Sequence, residues 1–198
     1  RKVGLKELPA VVEAGSLKDL IGRPRFLPES HERTAVPGVA SGLAVTGMGG
    51  EVLYIEASLL PGSTTSLTLT GQLGDVMKES AQIALSYVRA HAADFGIAPE
   101  QLEHPVHLHV PAGAVPKDGP SAGVTMTTAL VSMLTGRTVR AEVGMTGEVS
   151  LTGQVLPIGG VKQKLLAAQR AGLREVYLPQ RNEPDLDDVP AEILTDVT

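Results

Sequence analysis

The chain has 198 residues, 42% of them hydrophobic and 20% charged, a balance that supplies a buried core and excludes a largely disordered polypeptide. A net charge of −5 with scattered basic residues leaves no nucleic-acid footprint, and the absence of cysteine excludes disulfides, thiolate metal sites and a cysteine nucleophile. No run approaches the roughly 20 apolar residues of a membrane span, and the first ten residues, with Lys2, Lys6 and Glu7, lack the apolar centre of a signal peptide.

The chain begins without Met and reads as a piece of something longer. Ser16 caps a short predicted helix carrying Leu17, Leu20 and Ile21, which Gly22 and Pro24 end. Residues 23–37 hold three prolines and mixed charges and read as a linker, so a boundary is placed near Val36, dividing residues 1–36 from 37–198. Two β-rich runs follow, 41–46 and 51–60, with a hairpin signal at Met48-Gly49-Gly50, and 65–70 alternates Thr with Leu as a third strand. Over 73–95 the spacing of Val76, Ile83, Ala84, Tyr87 and Val88 predicts an amphipathic helix. A short strand at 106–110 leads through a Pro/Gly-rich loop to a helix over 121–135, with Val124, Thr128, Val131 and Leu134 available for burial. Residues 142–151 and 154–156 read as a hairpin turning at Thr152-Gly153, 161–171 as a helix, and 175–178 as a strand after the Gly172 stop. The acidic remainder suits a helix and a final strand. Strands come first as a block and then mix with helices, which points to α+β and not to a doubly wound sheet.

Chemistry concentrates in two places. In Pro116-Lys117-Asp118-Gly119-Pro120-Ser121-Ala122-Gly123, Ser121 falls at the first turn of a helix, beside unpaired N–H groups and the positive end of the dipole. Those donors suit the oxyanion of an attacked carbonyl, although a serine there, taken alone, reads first as an N-cap. A serine nucleophile needs a base. His107 and His109, two apart on a strand, face one side and with Asp118 compose either a Ser-His-Asp set or part of a metal site, or are half-buried strand histidines. The other candidate is a lysine. Lys162 and Lys164 stand near a helix start, where the dipole and burial both favour a neutral amine. On a helical wheel Lys164 falls among Val161, Ala167, Ala168 and Ala171, whereas the stem of Lys162 reaches water, so Lys164 is the better base. Gly159-Gly160 is no phosphate loop, because the chain contains neither G-x-x-x-x-G-K-[ST] nor G-x-G-x-x-G.

Pro116–Gly123 resembles the active-serine motif of Lon proteases, and the segment from Gly159 through Lys164 to Ala168 resembles the one carrying their catalytic lysine. Gly71-Gln72-Leu73-Gly74-Asp75-Val76-Met77-Lys78-Glu79-Ser80 is similar to a signature of the bacterial enzymes, and Met145-Thr146-Gly147-Glu148-Val149-Ser150-Leu151-Thr152-Gly153 to the stretch between serine and lysine. The resemblance implies the Lon proteolytic-domain fold, of the ribosomal protein S5 domain 2-like superfamily, over residues 37–198. It implies a serine endopeptidase with a Ser121–Lys164 dyad, Thr146 steadying the amine, and Asp118, His107 and Glu148 as supporting groups. It also implies the type with an ATPase on the same chain: ATP and Mg would be used upstream of Arg1, residues 1–36 would be a linker and the tail of that ATPase's helical domain, and this stretch itself would need no cofactor or metal. Gln163, where the family commonly has Glu, is a small departure.

The expected protein is a cytoplasmic homohexameric ring that degrades unfolded, misfolded and regulatory proteins, with no nucleic-acid or membrane partner. The competing expectations are a catalytically inactive ring-forming scaffold of the same fold and a His107/His109 metallohydrolase.

Overall fold

The computed structural model describes residues 22, 33–47, 49–111 and 115–198. The predicted helix at 17–21 and most of the linker lie outside the described residues; of the linker, Arg33–Ala35 form a 3-10 turn. Eight strands follow: β1 (Val39–Thr46), β2 (Gly49–Leu59), β3 (Leu67–Thr70), β4 (Val106–His109), β5 (Val143–Met145), β6 (Glu148–Val149), β7 (Val155–Leu156) and β8 (Glu175–Tyr177). The α-helices are α1 (Asp75–Ala90), α2 (Ala92–Phe95), α3 (Gly123–Thr135), α4 (Val161–Arg170) and α5 (Ala191–Asp196).

Six strands make one sheet in the order β3-β4-β2-β1-β5-β8, while β6 and β7 form a separate small ribbon. β2 runs antiparallel to both β1 and β4; β3/β4, β1/β5 and β5/β8 are parallel. The architecture is α+β, as the order of elements predicted. Register pairs Thr46 with Gly49, so Gly49 and Gly50 belong to β2 and not to the predicted turn.

The sheet is covered on both faces. Ala40, Ile55, Leu108 and Val110 pack beneath α1 and α3, and the fully buried Ile55, Met126 and Leu130 each contribute about 1.5–3 kcal/mol of apolar burial. Leu43 and Val52 project to the opposite face, where Ala168 of α4 and Leu173 meet them. The outer side of α4, Val161 and Leu165, rests on Val189, Ile193 and Val197 of the C-terminal segment. The last residue completes the edge, with Val176 N–H donating to Thr198 O and Thr198 N–H to Arg174 O, a backbone pairing in place of a full final strand.

Three predicted elements differ. The first long helix breaks at His91, and its buried stripe is Met77, Ser80, Ala81, Ala84, Leu85 and Val88, leaving Val76 46% exposed. Half of that stripe is small, Ser80, Ala81 and Ala84, which lets α1 pack closely on α3. In α3 the buried positions are Thr125, Met126, Ala129, Leu130, Ser132 and Leu134; Val124, Thr128 and Val131 are only half-buried, so of the four expected residues Leu134 alone is in the core. A helix apolar on most of its circumference leaves the period weak and the choice of face to its neighbours. The predicted strand at 142–151 is two strands in different sheets, β5 and β6, parted at Thr146-Gly147.

Candidate active site

The serine loop is held by the start of α1. Lys117 N–H donates to Gln72 O at 3.0 Å, and Gly74 N–H donates to Lys117 O at 2.7 Å. Asp118 Oδ1 then accepts from Met77 N–H and Gly119 N–H, each at 2.9 Å, and these bonds, Met77 first, hold its carboxyl below the usual carboxylate range. A Cβ on Gly74 would lie 2.3 Å from that carboxyl carbon, so the seat of Asp118 requires glycine. Gly119, at φ +110°, turns the chain into a 3-10 turn, Pro120–Ala122, on which Ser121 rides ahead of α3. Ser121 therefore precedes the helix it was predicted to begin, at the positive end of 13 aligned residues. It is half-buried, and neither its hydroxyl nor its N–H has a hydrogen-bond partner among the described residues.

The lysine comes from the other face of the sheet. Gly160, left-handed at φ +74°, starts α4, and α4 lies so close to β2 that a Cβ on Gly50 would stand 1.9 Å from Gln163 O. One residue further on, Lys164 is 2% exposed, and burial pushes its amine down from the ordinary lysine value to about 8. Lys162 projects into solvent, the orientation the helical wheel predicted, and Gln163 beside it is also exposed.

Thr146 joins the two halves. Its Oγ1 accepts from Lys164 Nζ at 3.0 Å and donates to Ser121 O at 3.1 Å. Its backbone makes the last bond to the sheet and then leaves it: Thr146 N–H donates to Tyr177 O of β8 at 3.0 Å, whereas Gly147 N–H turns to Ser121 O at 2.8 Å and Gly147 O accepts from Val124 N–H at 3.0 Å. These long-range bonds are what split the predicted strand. Gly123 permits the crossing, since a Cβ there would meet Val149 N at 2.8 Å.

Ser121, Asp118 and Lys164 line one open cavity of about 480 Å³, walled by Ala44, Val45 and the 157–160 segment. No direct hydrogen bond joins Ser121 Oγ to Lys164 Nζ in this state; catalytic contacts of this kind often tighten only when substrate is bound. A second cavity, of about 190 Å³, adjoins Ser121 and is lined by Leu43, Leu53, Ile55, Met77 and Ala122, with Lys117 on its wall.

Three other candidates do not join the group. His107 Nε2 and His109 Nδ1 both hydrogen-bond Thr70 Oγ1, at 2.9 and 2.6 Å, and neither bonds Ser121 or Asp118. No three His, Cys, Asp or Glu side chains assemble as a metal site among the described residues. Glu148, half-buried at the start of β6 opposite Leu156, makes no hydrogen bond to Ser121, Thr146 or Lys164. Lys117, a lysine in a Pro/Gly-rich loop whose sequence gives no sign of burial, is 8% exposed.

An α+β domain carrying an accessible serine and a buried amine on one cavity has the layout of a hydrolase domain. The family model of the Lon protease (S16) C-terminal proteolytic domain matches residues 11–198, and the chain belongs to that family. It is 73% identical over 186 residues to a Lon protease of Mycolicibacterium smegmatis, covering 94% of this chain and 24% of that protein. Lon proteases of Frankia alni and Chloroflexus aurantiacus are 67% and 56% identical, over 96% of this chain and 22% and 23% of theirs. The chain thus spans about a quarter of the length of the curated relatives it matches. Among the described residues, no helix is long and apolar enough to cross a membrane.

Proposed function

We propose that this domain is a serine endopeptidase in which Lys164 is the general base for Ser121. The observation that carries the reading is the Lys164–Thr146–Ser121 connection on a shared cavity. Neutral Lys164 Nζ takes the proton of Ser121 Oγ as Oγ bonds to the scissile carbonyl carbon, whose π electrons pass to its oxygen. The Ser121 N–H and the positive end of α3 favour that oxyanion. Collapse of the tetrahedral species expels the amine, which takes the proton from Lys164, and leaves an ester on Ser121. Water, deprotonated by Lys164, then attacks the ester, and a second collapse returns the proton to Ser121 and frees the carboxylic acid. The 190 Å³ apolar cavity receives the side chain on the acyl side of the scissile bond.

In this reading the domain shares the ribosomal protein S5 domain 2-like superfamily fold and belongs to a longer cytoplasmic chain. Its ATPase, using ATP and Mg, feeds unfolded polypeptides to a homohexameric ring. Residues 1–36 link the two parts, and Asp118 supports the site by positioning the serine loop.

Ser121→Ala and Lys164→Ala are each expected to abolish hydrolysis of a fluorogenic peptide and, for Ser121→Ala, covalent labelling by a fluorophosphonate, with thermal melts preserved. Full activity in Lys164→Ala overturns the dyad. A wild-type protein that neither cleaves nor labels marks an inactive scaffold.

A further inference from the structure

The dyad leaves one buried cation without a role. Lys117 Nζ donates to Gly71 O at 3.2 Å and to Val115 O at 3.0 Å, so the ammonium bridges its own loop to the turn between β3 and α1. Its backbone N–H takes the next carbonyl of that turn, Gln72 O. Both nitrogens of a single residue therefore engage two consecutive carbonyls.

The turn is built to present them. Gln72 is the one non-glycine residue with positive φ (58°) among the described residues, and Gly71, at φ +117°, has no room for a Cβ, which would lie 2.2 Å from Val110 O. Local strain of this kind persists only where the surroundings enforce it. Here it aims Gly71 O and Gln72 O at Lys117. The chain then runs directly through Asp118, anchored on Met77 N–H, and Pro120, whose carbonyl accepts from Ser80 Oγ at 3.4 Å, to Ser121.

We propose that Lys117 is a positioning residue for Ser121: its charge-assisted bonds to Gly71 O and Val115 O hold the nucleophile loop on the β3–α1 turn, at the height where Ser121 meets Lys164. The proposal rests on Ser121 being the nucleophile. Lys117 touches no reacting atom, and an apolar side chain of the same length would fill the same space while leaving the loop untethered. Charge-assisted bonds are about twice as strong as neutral ones, which suits a tether that must survive substrate entry.

The test compares Lys117→Met with Lys117→Arg in the full chain, on a short fluorogenic peptide. The expected result for Lys117→Met is a fall in kcat of about 10- to 100-fold, on the order of one or two such bonds, with KM within about 3-fold of wild type. Labelling of Ser121 by a fluorophosphonate slows in parallel, the melting temperature stays near wild type, and the apparent pKa of the rate profile remains that of Lys164. Lys117→Arg, which keeps the charge and donors, recovers part of kcat. Wild-type kcat in Lys117→Met overturns the proposal. A rise in KM at unchanged kcat, or loss of activity only in step with loss of fold in both variants, also overturns it. If Lys117→Met does not fold, Lys117→Gln, a shorter neutral donor, is judged by the same kcat and KM criterion. Failure of the underlying reading looks different: it is Ser121→Ala that cleaves, or wild type that does not label.

Discussion

Thr146 Oγ1 can only accept from Lys164, because its single proton is already given to Ser121 O at 3.1 Å. An N–H of Lys164 must therefore point at Thr146, so the lone pair of a neutral amine is directed away from that hydroxyl. Burial lowers the Lys164 amine, and this one hydroxyl directs its N–H.

Thr146→Val keeps the shape and removes that acceptor. A bond between neutral groups carries about 0.5–1.5 kcal/mol, so kcat on a short peptide is expected to fall roughly 2- to 13-fold, with Thr146→Ser close to wild type. Steady-state kinetics on the two variants decide it; an active Thr146→Val removes the orienting role.

Peptide hydrolysis should rise with pH through about 8, where burial places the Lys164 amine, since only the neutral form is a base. At pH 7 about one molecule in ten is in that form. A pH–rate profile of kcat/KM that is flat from pH 6 to 9 contradicts the assignment.

The same burial has a stability consequence. The folded amine, at about 8, binds protons less well than the unfolded one near 10.5, so the unfolded state is favoured below pH 8 and the penalty is relieved as pH rises from 8 to 10.5. Lys164→Met is expected to be inactive yet to melt above wild type at pH 7, with the difference shrinking towards pH 10.5.

Gly50→Ala forces a methyl group against Gln163 O and must lift α4 from β2. A cost of about 1–3 kcal/mol is expected, read as a lower denaturation midpoint, together with reduced kcat because Lys164 moves with α4. Unchanged stability would mean that the helix is free to shift.

Substrates with Leu on the acyl side of the cleaved bond should exceed those with Gly by about 10- to 100-fold in kcat/KM, from burial of the side chain in the 190 Å³ cavity. In contrast, His107→Ala and His109→Ala should stay within about 2-fold of wild type, since their partner is Thr70 and not the dyad.

Much of the site was legible locally. The apolar spacing around Lys164 placed it inward and Lys162 outward, as found, because a helix wheel depends only on its own residues. Gly119-Pro120 announced a tight approach to a helix, although the serine occupies a 3-10 turn ahead of it. The histidines invited a catalytic reading; in the fold, β3 brings Thr70 beside both rings, and neither bonds Ser121 or Asp118.

Thr146 and Lys117 show where local reading stops. Residues 142–151 look like one strand because alternation continues through Thr146, yet the backbone leaves the sheet after it, where Gly147 N–H reaches Ser121 O. Lys117 looks like any loop lysine until the strained turn at 71–72 folds its carbonyls over it.

The amino-acid sequence by itself determined which residues are available: a serine at a glycine-flanked turn, a lysine on the apolar side of a helix, and glycines at Gly50 and Gly74 where other groups must come close. Only the tertiary structure decided how they meet. Hydrogen bonds between distant segments have no local periodicity, and the burial that lowers the Lys164 amine comes from elements distant in sequence that enclose α4.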